Sequence, residues 1–158
     1  MTEYIHKSES LGKWISIVYR YAHTFFDKKL AHANVSSGLV PFIYHIFRSD
    51  GLSQDELSEK IGIDKTTTAR AIKTLVNLDY VSRSHDTADK RIYRLYLTAK
   101  GRALIPEIKE VMAEWTSVIS HGLSQEDRSQ LQKTLRRMAE NAKRFKENDY
   151  QRPANGTV

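Results

Sequence analysis

The chain has 158 residues, 25 basic and 19 acidic, for a formal net charge of +6, and it contains no cysteine. That composition excludes disulfides, thiolate zinc sites and cysteine-based redox sensing, and a cytoplasmic location is compatible with it. No apolar run approaches the length a bilayer-spanning helix needs, and the polar, mixed-charge Met1 to Ser10 segment does not read as a signal peptide.

In chain order, Leu11, Ile15, Val18, Ala22 and Phe25 recur at intervals of four and three, widened by Trp14, Ile17, Tyr21 and Phe26. This predicts a long first helix from about Glu9 to Ala31. After a break over Asn34 to Gly38, Ser36 or Ser37 can cap a second helix with Pro41 in its first turn. Leu39, Val40, Phe42, Ile43, Ile46 and Phe47 make that helix apolar nearly all round, which places it in the core. Asp50-Gly51 closes it, and Leu52 is expected to form a single-residue strand against a later hairpin.

Ser53-Gln54-Asp55-Glu56 is a capping box opening a short helix that carries Leu57 and Ile61 and ends at Gly62-Ile63. Asp64 caps the next helix, Lys65 to Leu78. Two short helices across a glycine-containing turn make a helix-turn-helix. Leu57, Ile61, Ile63, Thr68, Ala71, Ile72 and Leu75 turn inward, which leaves Thr66, Thr67, Arg70, Lys73 and Asn77 on the outer face. Three consecutive threonines form helix poorly, so their presence suggests contact with something outside. Threonine can meet base edges and the thymine methyl, and arginine can present a bidentate fork to guanine.

Tyr80 to His85 and Ile92 to Leu97 alternate as two strands, joined by the polar loop Asp86 to Arg91. The pair forms a wing, with Arg83 on its first strand and Lys90 and Arg91 at a tip suited to a minor groove. Asp86 or Asp89 can pair with Arg91 and hold it ready. From Lys60 to Arg102 there are ten basic residues against four acidic ones, while the remainder balances. The whole positive surplus therefore falls on this unit, the electrostatic sign of a polyanionic partner. No helix pairs a basic face with a bulky apolar one, so a membrane surface is not the expected partner.

Thr98 caps a further long helix carrying Leu104, Ile108, Val111, Trp115 and Val118, with Pro106 expected to kink it and Gly122 to end it. Ser124 with Asp127 opens a last helix, whose stripe of Leu131, Leu135, Met138, Ala142 and Phe145 runs to about Lys146. The division expected is a winged helix-turn-helix lobe over 34–98, a helical dimerisation region over 8–33 and 99–147, and a disordered tail over 148–158. A winged helix has too small a back surface to bury three further long amphipathic helices. A second copy of the chain can, so a homodimer with an apolar interface is expected. Its two recognition helices would suit successive major grooves of a pseudo-palindromic duplex.

A long helix, a winged helix and then Leu97-Thr98-Ala99-Lys100-Gly101 opening two more helices resembles the multiple-antibiotic-resistance regulator (MarR) family of bacterial transcription factors. The most specific element is Asp86-x-x-Asp89-Lys90-Arg91 followed by a strand and Leu-Thr-x-x-Gly, and the resemblance covers about 9–147. It implies a mainly α fold of about six helices with a small antiparallel wing sheet. It also implies a dimeric repressor, less often an activator, of which many release DNA when a lipophilic or phenolic ligand binds between lobe and dimerisation helices. By resemblance, Arg91 is the minor-groove arginine, and Lys65, Thr66, Thr67 and Arg70 are the major-groove positions. Ala88 departs from the basic or polar residue common there, and the absence of cysteine sets aside the peroxide-sensing branch.

For an effector, Arg20, Tyr21, His23, Phe25, His45 and Arg48 offer aromatic walls and cations for an aromatic carboxylate. The alternative is that the aromatics are dimer core and the cations solvated. No metal or other cofactor is expected, because the six histidines are scattered and none pairs at i,i+4 with an acidic companion. A metal-responsive regulator and a winged helix that binds only protein are the competing classes. An enzyme is not expected, since no nucleophile-base pair, phosphate-binding glycine loop or carboxylate pair is present.

Overall fold

The computed structural model describes residues 10–151. Among them the chain forms six α-helices and a three-stranded antiparallel sheet: α1 Leu11–Lys29, α2 Val40–Arg48, β1 Leu52–Ser53, α3 Gln54–Ile61, α4 Lys65–Asn77, β2 Val81–His85, β3 Tyr93–Leu97, α5 Ala99–Ile119 and α6 Gln125–Gln151. Short 3-10 turns at Ala31–Ala33 and Ser37–Leu39 connect α1 to α2. The mainly helical winged fold expected from the sequence is therefore present.

Strand order is β1-β3-β2, with Leu52 opposite Leu95 and Ser53 opposite Arg94 on one side. On the other side Val81 through His85 pair with Leu97 through Tyr93. The strand at Leu52 thus extends one residue further than expected, into the capping serine itself.

Local caps set the helix starts. Glu56 N donates to Ser53 Oγ at 3.2 Å and Ser53 N donates to Glu56 Oε2 at 2.7 Å, the reciprocal bonds of a capping box. Thr67 N donates to Asp64 Oδ1 at 2.8 Å to open α4. Between these helices Gly62 takes φ 76°, a left-handed conformation that favours glycine, and Ser58 Oγ donates to Ile63 O at 2.6 Å to close the turn. Thr98 Oγ1 accepts from Gly101 N at 3.0 Å and donates to Asp79 O at 2.6 Å. A Cβ on Gly101 would stand 2.2 Å from the Tyr80 carbonyl oxygen, so only glycine lets α5 start this close to the wing.

Two starts differ from expectation. Neither Ser36 nor Ser37 caps α2, because the chain first makes the 3-10 turn and α2 begins at Val40, with Pro41 in its first turn. Ser37 serves α1 instead: its N donates to Asp27 Oδ1 at 2.6 Å and its hydroxyl meets His23 Nδ1 at 2.7 Å. The start expected at Glu9 lies outside the described residues, within which α1 begins at Leu11. At the other end α6 continues past Lys146 to Gln151, so 148–151 are helical rather than tail; 152–158 lie outside the described residues. Pro106 does not interrupt α5.

The residues form two compact units, one up to Trp115 and one from Thr116 onward. In the first, Leu30, Phe42, Ile43, Ile46, Leu57, Ile72, Leu75, Leu95 and Ile108 are fully buried, joining α2, α3, α4, the sheet and the first half of α5 around one core. The C-terminal half of α1 is tied to the same unit by Ser37, by Lys29 Nζ to Glu114 Oε1 at 2.7 Å, and by Phe25 against the Trp115 ring. In the second unit, Ser124 and Asp127 form the reciprocal cap of α6, and Arg128 donates to the Ser120 and Leu123 carbonyls at the preceding turn. Among the described residues no helix is long and apolar enough to cross a membrane.

Candidate nucleic-acid interface

The stripe that buries Thr68, Ala71, Ile72 and Leu75 in α4 leaves Thr66, Thr67, Arg70, Lys73 and Asn77 exposed on the opposite side. Thr68, third of the threonines, is fully buried and belongs to the core. Lys65 Nζ donates to Asp55 Oδ2 at 2.8 Å, which holds its pKa above the ordinary lysine value and links α3 to the start of α4. Among the described residues the side chains of Arg70, Lys73, Arg83 and Lys90 make no ion pair, so their charges remain available to a partner.

The wing is more organised than its sequence suggests. Asp86 N donates to Ile92 O at 2.9 Å and Ile92 N to Asp89 O at 3.0 Å, closing the loop. Asp86 Oδ1 accepts from the amides of Ala88 at 2.8 Å and Asp89 at 3.0 Å. Asp89 then holds Arg91 twice over: Oδ1 accepts from Arg91 Nε at 3.0 Å and Oδ2 from Nη2 at 2.9 Å. The Arg91 side chain is nevertheless 91% exposed, so its guanidinium is oriented without being covered. Of the two candidate partners, Asp89 is the one paired with Arg91; Asp86 is not, because its second oxygen accepts from Arg94 Nε at 2.6 Å.

The electrostatics follow these bonds. The Asp89 amide, then the Arg94 guanidinium, then the Ala88 amide pull the Asp86 carboxyl down to about 2. Arg91 lowers the Asp89 carboxyl, and Asp89 raises the Arg91 guanidinium in return. At the wing's base His85 Nδ1 lies 2.6 Å from Lys90 O, and since a carbonyl only accepts, that nitrogen carries the proton. The His85 ring also packs on Tyr93, its cross-strand neighbour, with centroids 4.4 Å apart.

Sequence reasoning missed Arg94, counting it only in the positive surplus. It sits on the central strand between Ser53 and Ser84, small residues that leave space beside it. A charged residue on a central strand with serines as neighbours was a usable signal, since such a charge needs a partner. Arg94 Nη1 also donates to Glu56 Oε2 at 2.9 Å and Gly51 O at 3.3 Å.

The residues suggested for an effector make separate contacts. Arg20 donates to Ser16, Tyr21 is exposed, His23 meets Ser37, and Phe25 packs on Trp115 with Lys29 above its ring. His45 is held below the usual histidine range by burial first, then by the charges of Lys60 and Arg48. Among the described residues no bond or ring contact joins the α1 set to His45 or Arg48, and no group of three histidine or carboxylate side chains could hold a metal ion.

A helix-turn-helix with an exposed polar face, followed by a wing that presents an arginine, defines a winged helix. A model of the MarR family matches residues 42–93. A MarR transcriptional regulator from Methanosarcina mazei is 38% identical over 85% of this chain and 90% of its own, with a TM-score of 0.78. The HTH-type transcriptional regulator BilQ of Clostridium symbiosum is 28% identical over 131 residues, 82% of this chain and 91% of its own length. A Listeria monocytogenes protein solved in complex with a 26-mer DNA shares the fold, at 21% identity over 96% of this chain and 99% of its own, with a TM-score of 0.85. The chain belongs to the MarR family of transcriptional regulators, a family of regulators rather than enzymes.

Proposed function

We propose that the chain binds a pseudo-palindromic double-stranded operator as a homodimer and acts as a repressor. Thr66, Thr67 and Arg70, with Lys65 released from Asp55, read the major groove. Lys73, Arg83 and Lys90 meet phosphates, and Arg91 enters the minor groove. The observation that carries this is the pairing of an exposed polar face on α4 with an arginine that Asp89 grips and yet leaves 91% exposed. A pre-oriented guanidinium loses less freedom when it docks. The homodimer is supported by apolar rows left open on a single chain: Leu11, Trp14, Ile15 and Val18 on α1, and Leu131, Leu135 and Phe145 on α6. Release by a small lipophilic or phenolic ligand rests on the family resemblance, and would act by favouring a lobe spacing that no longer matches the operator.

The test is binding to duplexes selected from genomic fragments, measured against salt. A steep fall of log affinity with log salt is expected. Arg70→Ala should cost about 1–3 kcal/mol at one base position and relax specificity there. Arg91→Ala should weaken binding without altering the major-groove preference. An Arg91→Ala variant that binds as tightly as the parent at about 150 mM salt would remove the wing from the reading.

A further inference from the structure

We infer that Arg94 is the positioning residue of the wing, fixing the loop that carries Arg91 to the helix-turn-helix through Asp86 on one side and Glu56 on the other. This rests on the DNA-binding reading for its consequence, though not for its geometry.

The chain of contacts is continuous. Glu56 belongs to the capping box of α3, so its carboxylate is already fixed by Ser53 N at 2.7 Å. Its Oε2 also accepts from Arg94 Nη1 at 2.9 Å. Arg94 Nε in turn reaches Asp86 Oδ2 at 2.6 Å, and Asp86 Oδ1 takes the two loop amides that lead into Asp89. Asp89 grips Arg91. Ser53 N and Arg94 Nη1 share Glu56 Oε2, while Arg94 Nε and the two loop amides use different oxygens of Asp86.

Burial is deepest in the middle of the path. The Asp86 side chain is 16% exposed and that of Arg94 29%, against 91% for Arg91. The middle of the path is the most shielded, Glu56 at its helix end is 50% exposed, and the presenting end is open. The forked guanidinium suits the task because it bonds two carboxylates in fixed directions, which an ammonium cannot do. Arg94 directs its donors to Asp86, Glu56 and Gly51, so it is not itself a contact offered to a polyanion. Its proposed effect on binding passes through Arg91, and Arg94→Lys, which keeps the positive charge, separates that effect from the loss of one charge beside two carboxylates.

The experiment is a double-mutant cycle on operator affinity with Arg94→Gln and Arg91→Ala, joined to amide exchange in the DNA-free protein. In the parent background Arg94→Gln is expected to weaken binding about fivefold, and in the Arg91→Ala background by less than about twofold, with the salt slope unchanged there. In the free protein the Ala88 and Asp89 amides should exchange about tenfold faster, while amides in α4 keep their rates. Arg94→Lys, which keeps the charge and loses the fork, should fall between parent and glutamine variant, and carries the same cycle if the glutamine variant does not fold. Equal losses in both Arg91 backgrounds, no loss in either, or a lysine variant equal to the parent would each overturn the inference. If the parent binds no duplex, the functional reading fails, and wing amide exchange alone then decides whether Arg94 positions the loop.

Discussion

The winged lobe and α6 follow the same spacing rule and meet different ends. In α4 the apolar residues at intervals of three and four are buried, Ile72 and Leu75 completely. In α6 the same intervals leave Leu131 and Leu135 each 46% exposed and Phe145 72% exposed, and no residue of α6 is buried among those described. The pattern specifies that a face is to be covered and does not say by what. In the lobe the cover comes from α2, α3, the sheet and α5 of the same chain. For α6, and for Leu11, Trp14, Ile15 and Val18 of α1, a second chain is the proposed cover.

That difference can be pressed with substitutions of matched chemistry. Phe42, 1% exposed in the lobe core, should cost about 3–5 kcal/mol when replaced by alanine, read as a denaturation midpoint. The loss should be the same at every protein concentration, because the cavity lies within one chain. Leu131→Glu with Leu135→Glu should instead leave the lobe folded and shift the assembly. Each half-exposed leucine is worth roughly 1 kcal/mol of burial, so the four in a two-fold dimer correspond to about 10³ in dissociation constant. Sedimentation should show a monomer at concentrations where the parent is dimeric. A parent that is itself monomeric would mean that these rows are covered by something other than a second copy.

What the sequence made legible follows the range of the interactions. Ser53, Asp64, Thr98 and Ser124 were all readable as caps because each bonds a backbone amide three residues away. The outer face of α4 was readable for a related reason, being what the buried stripe leaves over. Ser37 was not, because its partners His23 and Asp27 lie 14 and 10 residues upstream on another element. Arg94 was harder still: its acceptors at Gly51, Glu56 and Asp86 come from three stretches that only the fold brings together. The end of α6 was misjudged because the apolar stripe stops near Phe145 while the helix continues through polar residues to Gln151.

The smallest expected effect concerns the wing loop, which is held by charged groups while the strands beside it place Val81, Leu95 and Leu97 in the core. Asp86 sits near 2 in the folded chain, pulled down by the Asp89 amide, by Arg94 and by the Ala88 amide, against about 3.9 for an ordinary aspartate. A carboxyl depressed by folding stabilises the folded form fully above its unfolded value and loses that contribution as pH falls through its folded value. The wing should therefore hold at neutral pH, weaken between about 4 and 2, and let go below that. The buried core that packs α4 has Tyr80 as its titratable side chain, raised by burial and far from this acid range, and should not follow it. Carboxyl carbon shifts should place the Asp86 titration near 2, with protection of the Ala88 amide lost over the same range. Asp86→Asn should remove that dependence. If the Ala88 amide instead loses protection near 4, together with solvent-exposed carboxylates, Asp86 does not anchor the loop, and the wing depends on its strand pairing alone.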